Sequence, residues 1–211
     1  MRVIQTIVLG TAFLLAACGG EQQTGDAASV ETKAGGSTAS CSTRAYENIG
    51  GPISLINHLG ERVTQEDFKG RPTLIYFGFT YCPDICPSTL VGISNAYDAL
   101  PEGMEPPQTL LITVDPERDT PEALAKYVSN RAFPDNLVGL TGTAEEIKAA
   151  ADEFYAGYNK VETPESLADY TMDHTSLLYL MDENWQLKTF FAEGNSRPDE
   201  MAACLAELLG S

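Results

Sequence analysis

The sequence predicts an α/β domain in which a sheet is covered by helices on both faces. Continuous apolar runs, which are typical of strands buried on both faces, recur along the chain. Between these runs lie segments with helical starts, marked by capping residues or by proline in the first turn. The domain spans residues 41–211, which is enough chain for one hydrophobic core.

The first half of the domain combines a hairpin, two strands and a helix between them. Gly60 lies between two short β-prone runs, as in a hairpin turn, and Thr64 then opens a helical turn. The runs TLIYFGF and TLLITV are apolar enough for buried strands. Pro87 is favourable only in the first turn of a helix, so we expect a helix to start there. The predicted elements are a hairpin over 53–56 and 62–64, strands over 73–79 and 109–114, and a helix over about 87–100.

The second half alternates helices and strands and ends in a hairpin and a helix. Thr120 and Pro121 combine an N-cap residue with proline at the first helical position, and Thr143 to Glu146 has the spacing of a capping box. The last helix carries an apolar stripe at spacings of three and four. The predicted elements are helices from 121, from 143 to about 158 and from 198, and strands over 137–140, 175–181 and 186–191.

The order of these elements predicts a topology. Strands separated by helices imply right-handed parallel crossovers, and the last two strands form an antiparallel hairpin. A thioredoxin-like sheet with an N-terminal β-hairpin and an inserted strand and helix satisfies this order. The motif cysteines then lie where a strand leads into the first covering helix.

The N-terminal residues predict export and a membrane anchor. Arg2 precedes an uncharged apolar stretch that ends in Leu15-Ala16-Ala17-Cys18, which resembles a bacterial lipoprotein box. Residues 1–17 are then a lipoprotein-type signal peptide, and Cys18 is lipidated; a plain signal peptide or an uncleaved anchor is the alternative. Residues 18–40 are small and polar, which is typical of a flexible tether. We expect the domain on the periplasmic side of a bacterial membrane.

The formal net charge of the chain excludes one class of partner. At −17, the net charge excludes a phosphate backbone, so no nucleic-acid partner is expected. Acidic surfaces also favour solubility, and the charge therefore indicates no other partner.

The segment CPDICP places Cys82 and Cys86 in a C-x-x-x-C motif directly after a buried strand. Each cysteine precedes a proline, which disfavours helical geometry, so we expect both to be non-helical and Cys86 to be the N-cap. Thiols at the positive end of a helix have a lowered pKa. A plain surface disulfide is the alternative, but closing so small a loop would stabilise the fold little.

Two sulfur ligands favour copper(I) or zinc, and a third ligand is needed to hold either ion well. The chain has two histidines. His58 falls in the predicted hairpin turn, where we expect it to be solvated. His174 opens the predicted strand over 175–181, and the loop before that strand faces the cysteine loop in a thioredoxin-like sheet. His174 is therefore the candidate third ligand.

Four stretches, YFGFTYCPDICP, VDPERDTPEALAKYV, LVGLTGTAEEI and DHTSLLYLMD, resemble the Sco/SenC family of copper proteins that serve assembly of cytochrome c oxidase. The resemblance implies a thioredoxin-like fold that binds copper through Cys82, Cys86 and His174. Asp173 and Asp115 match the family pattern too, as supporting or capping carboxylates rather than ligands. Tyr81 stands where many relatives have histidine, outside the three ligand positions.

The resemblance also implies a function. We expect a membrane-anchored metallochaperone that carries one copper ion per chain, as Cu(I) or Cu(II), to the copper-bearing subunit of the oxidase. The alternative is a thiol-disulfide reductase acting on the cysteines of that subunit. Because an oxidised Cys82–Cys86 pair cannot bind copper, a thiol reductase is an expected partner. A thiol peroxidase would need one peroxidatic cysteine near an arginine, which this motif does not indicate.

Cys41 and Cys204 lie outside these motifs. In an exported protein two remaining cysteines are more often paired than free, which gives the hypothesis of a disulfide joining the two ends of the domain. The alternative is that Cys204 is a buried thiol on the apolar stripe of the last helix.

Overall fold

The computed structural model describes residues 41, 48–164, 168–193 and 197–210. A short 3-10 helix covers Gln65–Phe68. The helices are α1 (Ile85–Asp98), α2 (Pro121–Val128), α3 (Ala144–Glu153) and α4 (Pro198–Leu209). The strands are β1 (Ser54–Asn57), β2 (Arg62–Thr64), β3 (Thr73–Gly78), β4 (Gln108–Thr113), β5 (Leu137–Thr141), β6 (Tyr158–Glu162), β7 (Tyr170–His174), β8 (Leu177–Met181) and β9 (Leu187–Ala192).

The larger sheet has the strand order β2-β1-β5-β4-β3-β8-β9 in the part of the chain that the structure describes. Strands β3, β4 and β5 are parallel, and α1 and α2 connect them in turn. The N-terminal hairpin extends one edge through β1, antiparallel to β5, and the β8–β9 hairpin extends the other. This arrangement is the predicted thioredoxin-like α/β fold.

The core lies around the two central strands. Every residue of β3 and β4 is buried, so both faces of the middle of the sheet are covered, as their apolar runs predict. Helices α1 and α4 pack against each other. Aromatic rings fill the space beside β3: the Phe77 ring lies 5.6 Å from Phe154 and 6.0 Å from Tyr179.

The helix after the cysteine loop begins earlier than the sequence predicts. Helix α1 starts at Ile85 with Asp84 as N-cap, so the predictions of a non-helical Cys86 at the N-cap and of a start at Pro87 are wrong. The N–H of Ser88 donates to the carbonyl of Asp84 over 3.1 Å, which closes the first turn around the proline. A proline in the first turn loses no helical hydrogen bond, because N–H groups there have no partner within the helix.

Helix α3 ends at Glu153 rather than near Tyr158. Tyr155 takes a left-handed backbone conformation (φ 51°), and the chain then enters β6, which pairs antiparallel with β7 in a separate two-stranded sheet. This pair is absent from the sequence prediction. Its strands are largely exposed or half-buried, so they lack the apolar run that marks a buried strand. His174 consequently ends β7 instead of opening the strand that follows.

The predicted signal peptide (1–17), Cys18 and the tether (18–40) lie outside the described residues. Among the helices that the structure describes, none is long and apolar enough to cross a membrane.

Candidate metal centre

The two motif cysteines lie between the end of β3 and the first turn of α1. Cys86 is fully buried, whereas Cys82 has 8% of its surface exposed, so Cys82 is the cysteine nearer to solvent. The backbone N–H of Cys86 donates to Sγ of Cys82 over 3.2 Å. The N–H groups in the first turn of a helix have no acceptor within the helix, and this bond supplies an acceptor for one of them. Both cysteines are free thiols in the structure.

His174 reaches the same place from the end of β7. Its Nε2 lies 3.8 Å from Sγ of Cys86, and its Nδ1 lies 3.2 Å from the carbonyl oxygen of Thr175. Because a carbonyl only accepts, Nδ1 carries the proton, and Nε2 presents a lone pair toward the sulfur. The rings of Tyr76 and Phe79 stand edge-on to the imidazole, with centroids 6.0 and 6.1 Å away. The histidine is therefore held in the orientation and tautomer that a metal ligand needs.

A carboxylate that the sequence analysis missed lies beside Cys86 and His174, and the sulfur of Cys82 is not part of this group of ligand atoms. One ligand atom each from Cys86, His174 and Glu193 lie within 4.8 Å of one another. Glu193 follows β9 and is 8% exposed. Its Oε1 accepts hydrogen bonds from the hydroxyl groups of Tyr76 and, over 3.2 Å, of Thr89. The sequence signal was an acidic residue directly after an apolar strand, which by itself does not distinguish a buried carboxylate from a solvated one.

The two thiols differ in acidity. The pKa of Cys82 is lowered to about 6, first because the Cys86 thiol donates to it, and further by the N–H groups of Cys86 and Asp84. The same interaction raises the pKa of Cys86, and burial raises it further. The metal-free site thus holds one thiolate and one thiol at neutral pH. The thiolate is the form that attacks disulfides and binds metals.

The cysteine loop is anchored to the sheet by Asp119. This carboxylate is fully buried and accepts hydrogen bonds from the N–H of Thr80 over 3.0 Å and from the Thr113 hydroxyl over 2.6 Å. Burial raises the pKa of Asp119. The three residues tie the end of β4 to the segment immediately before Cys82, and so fix where the loop begins.

The two aspartates of the family pattern lie in other surroundings. Asp115 is buried, pairs with Arg118 and accepts a hydrogen bond from the Tyr170 hydroxyl over 2.8 Å. It therefore links the end of β4 to the start of β7. Asp173 is exposed, and the alternation of side chains along a strand directs it to the face opposite His174.

The remaining predicted residues lie away from the cluster. His58 is half-buried, and its Nδ1 accepts the N–H of Gly139 over 3.2 Å, so the prediction of a merely solvated side chain is wrong. Cys41 and Cys204 form a disulfide across a sequence separation of 163 residues. Tyr81 is 59% exposed, and the guanidinium of Arg118 lies 4.6 Å from its ring centroid.

Comparison with known proteins identifies relatives over most of the domain. The human "Protein SCO1 homolog, mitochondrial" is 42% identical over 160 residues, which cover 75% of this chain and 52% of the relative. The "SCO2-like protein RP587" of Rickettsia prowazekii is 40% identical over 146 residues, covering 69% of this chain and 70% of the relative. The chain thus spans about half the length of the human protein.

Solved structures with the same fold include two with copper. ScoI of Arabidopsis thaliana with copper bound has a TM-score of 0.71 and 39% identity, over 77% of this chain and 98% of that one. ScoI of Bradyrhizobium japonicum with copper bound has a TM-score of 0.66 and 41% identity, over 76% and 99%. The family model described as SCO1/SenC matches residues 42–210. The chain therefore belongs to the SCO1/SenC family.

Proposed function

We propose that this protein is a copper metallochaperone that delivers one copper ion per chain for assembly of the copper site of cytochrome c oxidase. The observation that carries the proposal is the approach of His174 Nε2 to Cys86 Sγ, 3.8 Å, while the sulfur of Cys82, in the loop before α1, accepts the backbone N–H of Cys86. Relatives solved with copper bound, and one described as a member of a family of cytochrome c oxidase assembly proteins, support it.

The residue types of this site suit copper, and the Cys86–His174 pair has a separation that one ion can bridge. Two donors about 2.0 to 2.3 Å from a common ion lie roughly 3.5 Å apart at a tetrahedral angle and farther apart at a trigonal one. The separation of 3.8 Å between Cys86 Sγ and His174 Nε2 is close to the trigonal value of roughly 3.7 Å. Soft thiolates favour Cu(I), and imidazole accepts either oxidation state. Structural zinc is closed by four ligands, so a set of Cys82, Cys86 and His174 leaves the ion able to depart to a partner.

The pKa values of the two thiols determine how copper binding depends on pH. Cys82 offers a thiolate already, because its pKa is lowered to about 6. Cys86 must lose its proton when copper binds, because only the thiolate is a ligand. Because the pKa of Cys86 is raised, loss of this proton becomes less favourable as the solution becomes more acidic. Copper uptake is therefore expected to weaken as the pH falls.

We place the protein on the periplasmic side of a bacterial membrane, attached through lipid at Cys18. The apolar stretch before Leu15-Ala16-Ala17-Cys18 supports this placement. Mass spectrometry of the mature protein tests it: a diacylglyceryl mass on an N-terminal Cys18 is expected, and an unmodified N-terminus elsewhere would contradict it.

A thiol-disulfide reductase is the second candidate, favoured by the thiolate of Cys82 next to the protonated Cys86. In this reaction Cys82 attacks one sulfur of the partner's disulfide, and a mixed disulfide forms as the other sulfur leaves as a thiol. Cys86 then gives up its proton and attacks Cys82, which releases the second thiol. The partner's disulfide is reduced and the Cys82–Cys86 pair is oxidised. A thiol reductase must then restore the pair before copper binds.

One experiment separates the two roles. The copper-loaded protein is mixed with the metal-free, reduced copper-bearing subunit of the oxidase, the proteins are separated, and copper is measured on each. Transfer of copper is expected. If copper stays, while the metal-free protein reduces the oxidised subunit, the carrier proposal fails and the reductase remains. A His174→Ala variant should lose the first reaction and keep the second, because the histidine is needed only for the metal.

A further inference from the structure

Glu193 is not accounted for by a site of three ligands. Its carboxylate is 8% exposed and lies in the same cluster as the ligand atoms of Cys86 and His174, all within 4.8 Å of one another. Removing a carboxylate from water is costly unless an opposite charge or hydrogen bonds compensate it. A buried carboxylate next to two candidate metal ligands therefore needs a partner that compensates the cost of its desolvation.

The described surroundings of Glu193 supply hydrogen bonds but no cation. The hydroxyl groups of Tyr76 and Thr89 both donate to Oε1, so neither of these bonds uses Oε2. Among the described residues, no ion pair includes Glu193. The two hydroxyl groups come from β3 and α1 and fix the carboxylate relative to the cysteine loop. The carboxylate is therefore held by two elements of the fold beside the ligand atoms of Cys86 and His174.

We propose that Glu193 supplies an oxygen ligand to copper in this site and biases the site toward Cu(II); the inference rests on the proposed function. With Cys82 and Cys86 as thiolates, Glu193 brings the negative charge of the ligands to three. The site then carries 2 − 3 = −1 with Cu(II) and 1 − 3 = −2 with Cu(I), so the carboxylate penalises the reduced state. Carboxylate oxygen is also a harder donor than sulfur and suits divalent ions better.

We expect Glu193 to bind copper more weakly than the sulfur and imidazole ligands, because carboxylate oxygen is a harder donor. Trigonal copper sites of sulfur and imidazole take a distant axial ligand that tunes the reduction potential. We therefore expect the residue to set the balance between the two oxidation states rather than to decide whether copper binds.

The test compares the full-length protein with Glu193→Gln and Glu193→Asp. The glutamine variant keeps the shape and an oxygen acceptor for Tyr76 and Thr89 but loses the charge, whereas the aspartate variant keeps the charge and withdraws it by one methylene. Affinities for Cu(I) and Cu(II) are measured by competition with chelators, together with the reduction potential and the electron paramagnetic resonance spectrum of the Cu(II) form. Thermal unfolding of each metal-free variant controls for folding.

Glu193→Gln should bind one copper but lose at least about tenfold in affinity for Cu(II) relative to Cu(I). This change equals a rise of about 59 mV in potential for one electron. Glu193→Asp should change the spectrum of Cu(II), and it decides the question if the glutamine variant does not fold. Unchanged potential and spectrum in a folded variant would overturn the inference alone. Failure of the wild-type protein to bind copper would instead overturn the proposed function, and the inference with it.

Discussion

Removing the disulfide between Cys41 and Cys204 should cost a large part of the stability of the domain. The bridge joins the start of the domain to α4 across 163 residues. In the chain-entropy model, closing a loop of this length lowers the entropy of the unfolded chain by about 17 cal/mol/K, which is about 5 kcal/mol at 25 °C. Natural disulfides commonly realise about 2 to 5 kcal/mol of such a value. A loss of this size is comparable with the whole stability of many domains.

Urea unfolding of the wild-type protein and of a Cys41→Ala/Cys204→Ala variant measures the effect. The variant should lose about 2 to 5 kcal/mol, and its m-value should rise, because the unfolded chain expands when the cross-link is absent. Reduced wild-type protein is the control, since it loses the bridge but keeps both side chains. A loss below about 1 kcal/mol in both, with an unchanged m-value, would refute the reasoning that the bridge acts on the unfolded state.

Three further predictions concern single residues. Alkylation of metal-free Cys82 should accelerate as the pH rises through about 6, because the thiolate forms there; a midpoint near the ordinary value of about 8.5 would contradict the lowered pKa. Asp119→Ala should lose about 2 to 3 kcal/mol in urea unfolding, because it leaves the half-buried N–H of Thr80 and the buried hydroxyl of Thr113 without an acceptor, whereas Asp119→Asn keeps an acceptor oxygen and should lose less; equal losses would argue against this role. Thr143→Ala should lose about 1 kcal/mol with the capping box of α3, and Thr143→Ser should not, so a neutral alanine variant would show that the cap contributes little.

The strands of the central sheet were predictable because an uninterrupted apolar run indicates a strand that is buried on both faces. The runs that form β3 and β4 are buried at every position, and the spacing of Thr143 and Glu146 fixed the start of α3. The β6–β7 pair was not predictable in the same way. It is short and mostly exposed, so its pairing depends on where the chain returns to it rather than on a pattern of its own.

The start of α1 shows how a local rule fails. The residue before a proline usually avoids helical geometry, yet Cys86 is helical because the hydrogen bond from Ser88 to Asp84 closes the turn around Pro87. The result changes the site: the buried sulfur of Cys86 belongs to the helix, and the sulfur of Cys82 caps one of its N–H groups.

The candidate site was predictable only for residues whose type is rare or whose motif is specific. Cys82, Cys86 and His174 are of that kind, and the structure brings Cys86 and His174 together. Glu193 is one acid among many in this chain. Its burial arises from Tyr76 on β3 and Thr89 on α1, both more than 100 residues away, and no local pattern reports such a contact.

Copper content and visible absorption of the reduced protein, after addition of Cu(I), Cu(II) or zinc, test the central claim most directly. His174→Ala is the test variant, and His58→Ala is the matched control, because His58 binds the backbone of Gly139 instead. We expect one copper per chain and an intense thiolate-to-Cu(II) band that His174→Ala loses or alters and His58→Ala retains. No copper binding, or binding that is indifferent to His174, together with a readily cycled Cys82–Cys86 disulfide, would contradict the claim.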